Sequence, residues 1–405
     1  MTRSKFSSLQ ALLLTGSVSI GMSGLAQAQE AKEEEKTAEL AANKSWTDDF
    51  SVGMFVDAYG ALRSDRNSHA SGPVTAGTAT SGYYHEAYVQ AEGFALAFAG
   101  ADLAYSGEKF GATISLRFGP GAKRFYAADN GPFGTDYITQ AYATWKPVKD
   151  LTLDFGQFYT IYGAEVAESW RNMNYSRGGL YYAMQPFWHT GLRANYKIND
   201  ALSLNGLVVN AVNTVYENNK SPSLGIQALV TPTDGVLLAF GYLAPVNPRA
   251  GGEENTTLSA FGAFEHFMDF VGTATIGDFK LVTNADLNLY KAKGATSYEN
   301  WWGVSVAPGY SFTNWFGCAA RVEYLSDSAN TWSMTTKSGD LAGKAKLTTL
   351  TGTLDFKPVP NSTAVVLRPE FRYELASSDY FQDHDNAPSK KFWSAHLGVV
   401  VTSMP

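Results

Sequence analysis

From residue 50 onward, apolar and polar residues alternate in runs of about ten. In 367–375, Leu367, Pro369, Phe371, Tyr373 and Leu375 fall on one parity and Arg368, Glu370, Arg372 and Glu374 on the other. A period of two is that of a β-strand, whose successive side chains point to opposite faces. The same alternation sets Leu192, Ala194 and Tyr196 against Arg193, Asn195 and Lys197. It sets Ala112, Ile114, Leu116 and Phe118 against Thr113, Ser115 and Arg117, and Ala320, Val322 and Tyr324 against Arg321 and Glu323. In 280–289, Leu281, Leu287 and Leu289 oppose Lys280, Asn284, Asp286 and Asn288. The pattern predicts sixteen strands, at 50–61, 95–106, 110–119, 137–147, 151–159, 189–198, 202–213, 223–232, 235–245, 266–277, 279–291, 301–312, 316–327, 346–358, 364–375 and 392–403. Two positions disturb it. Asp102 shares parity with Leu96 and Phe98, which predicts a bulge in the second strand. Pro369 lacks a ladder donor, and a local bulge is the expected accommodation.

The connections alternate short and long. Turns such as 107–109, 148–150, 199–201 and 233–234 face segments such as 62–94, 161–188, 246–265 and 328–345. Short turns at one end and long loops at the other mark a transmembrane antiparallel up-and-down β-barrel of bacterial outer membranes. A soluble β-sandwich has no reason to keep that asymmetry. An even strand count returns both ends of the barrel to the periplasmic side. A lipid-facing Arg or Lys near the midplane costs about 2–4 kcal/mol, so the charged parity of each strand is expected to face the lumen.

The first residues and the composition fit this reading. Arg3 and Lys5 precede an apolar stretch over 9–25 that ends in Ala26-Gln27-Ala28, the form of a secretory signal peptide spanning 1–28. Residues 29–49, with Glu33, Glu34 and Glu35, read as an acidic periplasmic linker, and 50–405 as the barrel. Beyond residue 28 no apolar stretch approaches the length of about 18 residues that a spanning helix needs. Only a closed barrel then satisfies the backbone within lipid. Charged residues make up 17% of the chain, against about 25% in soluble domains. The net charge of −7 argues against nucleic acid as a partner. Cys318 is the single cysteine, which excludes an intramolecular disulfide or a thiolate metal cluster.

Catalytic chemistry finds no support. His69, His85, His189, His266, His384 and His396 lie near no nucleophile motif such as G-x-S-x-G. No phosphate-binding loop, paired-histidine metal motif or EF-hand spacing occurs. No enzyme activity, metal or cofactor is therefore expected.

Three segments carry a family resemblance. They are Gly156-Gln157-Phe158-Tyr159-Thr160-Ile161-Tyr162-Gly163-Ala164-Glu165, then Asn174-Tyr175-Ser176-Arg177, then Gln185-Pro186-Phe187-Trp188-His189-Thr190-Gly191-Leu192-Arg193. With Gly53-Met54-Phe55-Val56-Asp57-Ala58-Tyr59 near the start, they resemble the OmpL-like β-barrel porin family. The resemblance implies an outer-membrane barrel with a pore role and supplies no substrate. Outer-membrane barrels usually end on an aromatic residue, whereas this chain ends Val401-Thr402-Ser403-Met404-Pro405.

The expected function is passive diffusion of small hydrophilic solutes through a barrel in outer-membrane lipid, with a homo-oligomer as one expected assembly. A hydrophobic-substrate transporter, an adhesion or structural barrel and an outer-membrane hydrolase stand as alternatives. The connection 161–188 carries Glu165, Glu168, Arg171 and Arg177 among Trp170, Tyr175, Tyr181 and Tyr182. By analogy with general porins it folds inward as a constriction loop, its acids opposite lumen arginines; the alternative is an exposed surface loop. Arg193, Arg321, Glu323, Arg368, Glu370, Arg372 and Glu374 are the expected lumen wall, either lining the path or pairing with one another.

Overall fold

The computed structural model of the chain describes residues 49–65, 92–122, 137–210, 212–217, 221–246, 266–290, 296–327, 345–359, 362–379, 381–385 and 387–404. The expected signal peptide and nearly all of the expected linker lie outside these residues.

Sixteen strands close into one antiparallel barrel. They are β1 (Phe50–Arg63), β2 (Gly93–Ser106), β3 (Phe110–Phe118), β4 (Ile138–Val148), β5 (Leu151–Tyr159), β6 (Trp188–Asn199), β7 (Leu202–Val209) and β8 (Ser223–Thr233). The second half is β9 (Val236–Pro245), β10 (His266–Ile276), β11 (Phe279–Tyr290), β12 (Glu299–Ser311), β13 (Phe316–Asp327), β14 (Ala345–Phe356), β15 (Val365–Ala376) and β16 (Lys391–Thr402). Each strand pairs with its sequence neighbours, and β1 closes on β16, with Tyr59 opposite Gly398. All sixteen expected strands are present.

Parity divides the wall as the sequence predicts. Ala112, Ile114 and Phe118 face outward, whereas Thr113, Ser115 and Arg117 are buried inside. Val52, Met54, Val56, Phe155, Ile226 and Phe371 join an exposed apolar outer surface. Phe316 stacks on Phe356 at 5.0 Å and on Phe312 at 5.3 Å near the short turns, an aromatic cluster suited to a lipid interface.

The bulge expected in β2 is present. Asp57 pairs with Phe98 and Ala58 with Leu96, which leaves Ala97 as the extra residue. Past it the parity switches: Leu96 is exposed, while Ala97 and Phe98 are buried. The bulge expected at Pro369 is absent and that reading is corrected. Pro369 pairs in register with Leu397 on β16. Toward β14 the register is unchanged on either side, with Glu370 opposite Thr353 and Leu367 opposite Phe356. The ladder tolerates a proline there without an inserted residue.

The barrel encloses its own core. Three buried apolar clusters lie inside the barrel, one around Phe55, Phe98, Tyr175 and Trp188, one around Leu180, Met184, Trp301 and Phe392, and one around Phe158, Tyr162, Leu243 and Phe267. Each contains residues of the connection between β5 and β6.

Candidate functional site: the loop inside the barrel

Residues 160–187 leave β5 and return to β6 with their ends paired, since Thr160 N–H donates to the Phe187 carbonyl at 3.1 Å. Between those ends the segment contains a single 3₁₀ turn (Ser169–Arg171) and one short helix, α1 (Gly179–Met184). It is buried throughout except at Thr160, Ala164–Val166, Trp170, Arg171 and Met173, which are half-buried. A solvated surface loop would not hide Tyr162, Tyr175, Tyr181 and Phe187. These side chains are inside the barrel.

On the β13–β15 side the wall holds the loop with ions. Arg321 contacts the Glu165 carboxylate at 2.6 Å and the Ser176 carbonyl at 2.7 Å, with Glu323 at 2.9 Å beside it. Glu370 accepts the backbone N–H groups of Tyr175 at 2.7 Å and Ser176 at 3.0 Å. Arg372 donates to the Ser176 hydroxyl and the Arg177 carbonyl and pairs with Glu374 at 2.7 Å. Arg368 donates to the carbonyls of Ser169, Asn172, Met173 and Asn174 and pairs with Asp355 at 2.6 Å. Across the lumen, Glu168 meets Arg117 at 2.7 Å, and Arg117 also meets Asp102 at 2.6 Å. Ser169 and Tyr175 donate to Asp57 at 2.6 and 2.9 Å.

On the β8–β11 side the contacts are hydrogen bonds and apolar packing. The Tyr162 hydroxyl donates to the Tyr242 carbonyl at 2.8 Å. A Cβ at Gly225 would strike the Tyr162 hydroxyl, and one at Gly241 would strike its ring. Gly163 follows with φ +86°, a left-handed turn that sends its N–H to Asp269 at 3.2 Å. Gln185 bonds Asn284 and Asp286, and Asn284 Nδ2 reaches both Asp269 and Asp286 at 3.1 Å. This pair of buried carboxyl groups is thus held by amide donors.

The two loop acids sit in different fields. Burial works against the Glu168 charge, but Arg117 and Arg171 outweigh it and hold the carboxyl below its usual range. Burial, aided by Glu323, pushes the Glu165 carboxyl above the usual range in spite of Arg321. Glu165 keeps 16% side-chain exposure, so it is the loop acid that still meets water.

Glu165, Glu168, Arg321, Glu323, Arg368, Glu370 and Arg372 are therefore brought together around the loop, with Glu374 behind them. Arg193 stands apart. It pairs with Asp154 at 2.7 Å and stacks over Phe158 and Tyr142, on the β5–β6 wall. Arg177 is buried and donates to its own loop at the Tyr175 carbonyl, and Arg171 lies 6.0 Å from the Trp170 ring centroid. Arg117, Asp102, Asp57 and Gln185 are partners that the sequence did not assign to the site, although Arg117 had lumen parity, Asp102 marked the β2 bulge, and Asp57 and Gln185 lie in segments that carry the family resemblance. Outside this region, Asp383, His384 and Asp385 on the β15–β16 connection bring three potential ligand atoms within 4.8 Å of one another.

The family described as "Putative beta-barrel porin-2, OmpL-like" matches residues 49–401. No curated protein sequence matches the chain. Among solved structures, the barrel is similar to outer-membrane OmpT of Vibrio cholerae, at 12% identity and a TM-score of 0.53 over 87% of this chain and 97% of that one. It is similar to the outer-membrane channel DcaP of Acinetobacter baumannii, at 12% identity and a TM-score of 0.52 over 87% and 96%. It is also similar to Salmonella typhi OmpF, at 10% identity and a TM-score of 0.54 over 89% and 100%. At these identities the likeness carries the fold, and the family match carries the assignment. The chain belongs to the OmpL-like β-barrel porin family and is a porin of the bacterial outer membrane.

Proposed function

We propose that small hydrophilic solutes diffuse passively through this barrel past a constriction formed by residues 160–187, with no chemical step. The observation that supports it is the burial of a 28-residue connection within a sixteen-stranded barrel, a size at which the lumen would otherwise be an aqueous channel. Glu165, Arg171 and the wall acids Asp102 and Asp355 are ionisable groups beside the loop that retain water contact, and they are assigned to the path. Residues 1–28 are assigned as the signal peptide and 29–49 as a periplasmic linker. A homo-oligomer is supported by the OmpT relative of 13% identity that is described in a trimer form.

The test is the reversal potential in planar bilayers under a salt gradient. Glu165→Gln keeps one of the two acceptor oxygens that serve Arg321 and Gly178 and removes one negative charge, so it shifts selectivity toward anions. Acidification of the unmodified protein moves the potential the same way, because the raised Glu165 carboxyl takes up its proton early. An unchanged potential in both experiments removes Glu165 from the path. Absence of any conductance favours a plugged barrel with another role.

A further inference from the structure

We propose that Arg368 and Glu370 are positioning residues, which fix the constriction by holding the loop's backbone and do not select solutes by their charge. The inference rests on the reading of residues 160–187 as the constriction.

Four observations carry it. The Arg368 guanidinium reaches the carbonyls of four loop residues, Ser169, Asn172, Met173 and Asn174. Its neighbour on the same face of β15, Glu370, accepts from the backbone N–H groups of the next two residues, Tyr175 and Ser176. Successive charged residues of one strand thus cap carbonyls and then amides in chain order along 169–176, a stretch with almost no regular hydrogen bonding of its own. Finally, both side chains are sealed from water: Arg368 is 2% exposed and Glu370 4%, while Asp355, which orients Arg368, keeps 27% side-chain exposure. A charge that no passing ion approaches contributes little to selectivity. A fork that holds four carbonyls contributes much to geometry, since buried backbone that is not paired within a regular element must find its partners elsewhere.

A charge-conserving change separates the two roles. Arg368→Lys keeps the charge but replaces a planar five-donor fork by one flexible ammonium, which cannot span four carbonyls. Two readouts are taken on the full chain. One is planar-bilayer conductance with reversal potential. The other is maleimide labelling of Ala183→Cys, a reporter 1% exposed in α1, in a Cys318→Ala background. Anchoring predicts that Arg368→Lys speeds labelling by about tenfold or more, because hydrogen bonds to a charged group are lost. It also predicts a higher, noisier conductance with the reversal potential unmoved. The proposal is overturned if Arg368→Lys matches the native barrel in both readouts while Arg368→Gln shifts the reversal potential. Should Arg368→Lys fail to give a heat-modifiable barrel on gels, Glu370→Gln serves in its place. Faster labelling without a shift toward anions supports anchoring; a shift with native labelling refutes it. If the native barrel does not conduct at all, the constriction reading fails, and labelling still decides whether Arg368 holds the loop.

Discussion

Along β13–β15 the inner loop meets guanidinium and carboxylate groups that reach its backbone; along β8–β9 it meets the barrel through a tyrosine seated over two glycines and a single amide hydrogen bond, from Gln227 to the Ile161 carbonyl. The first attachment is directional. Arg321, Arg368, Glu370 and Arg372 each reach a named backbone group, and together they determine where residues 165–177 run. The second works mainly by shape, with hydrogen bonds from Tyr162 to the Tyr242 carbonyl and from Gln227 to the Ile161 carbonyl. Gly225 and Gly241 leave a recess, and the Tyr162 ring fills it within a cluster of Phe158, Leu243 and Phe267. The pairing explains how a segment with one short helix stays ordered inside a wide barrel. Ions specify its course, and apolar contacts supply the burial that keeps it out of water.

Breaking the ionic side has the larger expected effect. Arg321→Met leaves Glu165, Glu323 and the Ser176 carbonyl without their common cation in a site 2% exposed. Removing one partner of a buried pair costs about 3–5 kcal/mol, measurable as a lower urea midpoint for the refolded barrel. Opposing the shape-based side costs less. In Gly241→Val the new Cβ would lie 2.6 Å from the Tyr162 ring, so the ring must shift. Overpacking of this kind costs about 1–3 kcal/mol. If Gly241→Val proves the more damaging of the two, the division into an ion-specified course and an apolar filler is wrong.

Much of this barrel was legible in the alternation of its residues. The cost of a charge facing lipid assigns Arg368, Glu370, Arg372 and Glu374 inward before any contact is known, and all four are buried there. The β2 bulge was legible from Asp102, whose parity conflicts with Leu96. Pro369 was misread because a proline can interrupt one ladder without changing its register. The partners of the inward charges were not legible. Arg117 and Glu168 are 51 residues apart and Arg368 and Ser169 are 199 apart, distances that only barrel closure brings together. Arg368 and Glu370 also bind backbone groups, which every residue carries and no side-chain pattern reveals. The sequence therefore suggested arginines opposite loop acids, yet only Arg321 among them meets one directly, at Glu165.

On the function proposed above, residues 160–187 set the narrowest section of a conducting lumen. Because Thr160 and Phe187 are already hydrogen-bonded, residues 163–184 can be replaced by a short Gly/Ser linker without moving β5 or β6. Single-channel recordings of the native and shortened proteins, each verified as a heat-modifiable barrel, test the claim most directly. The account predicts a small unitary conductance for the native protein and one several-fold larger for the shortened protein. Equal conductances would place the loop outside the pore, and no conductance in either would contradict the channel itself.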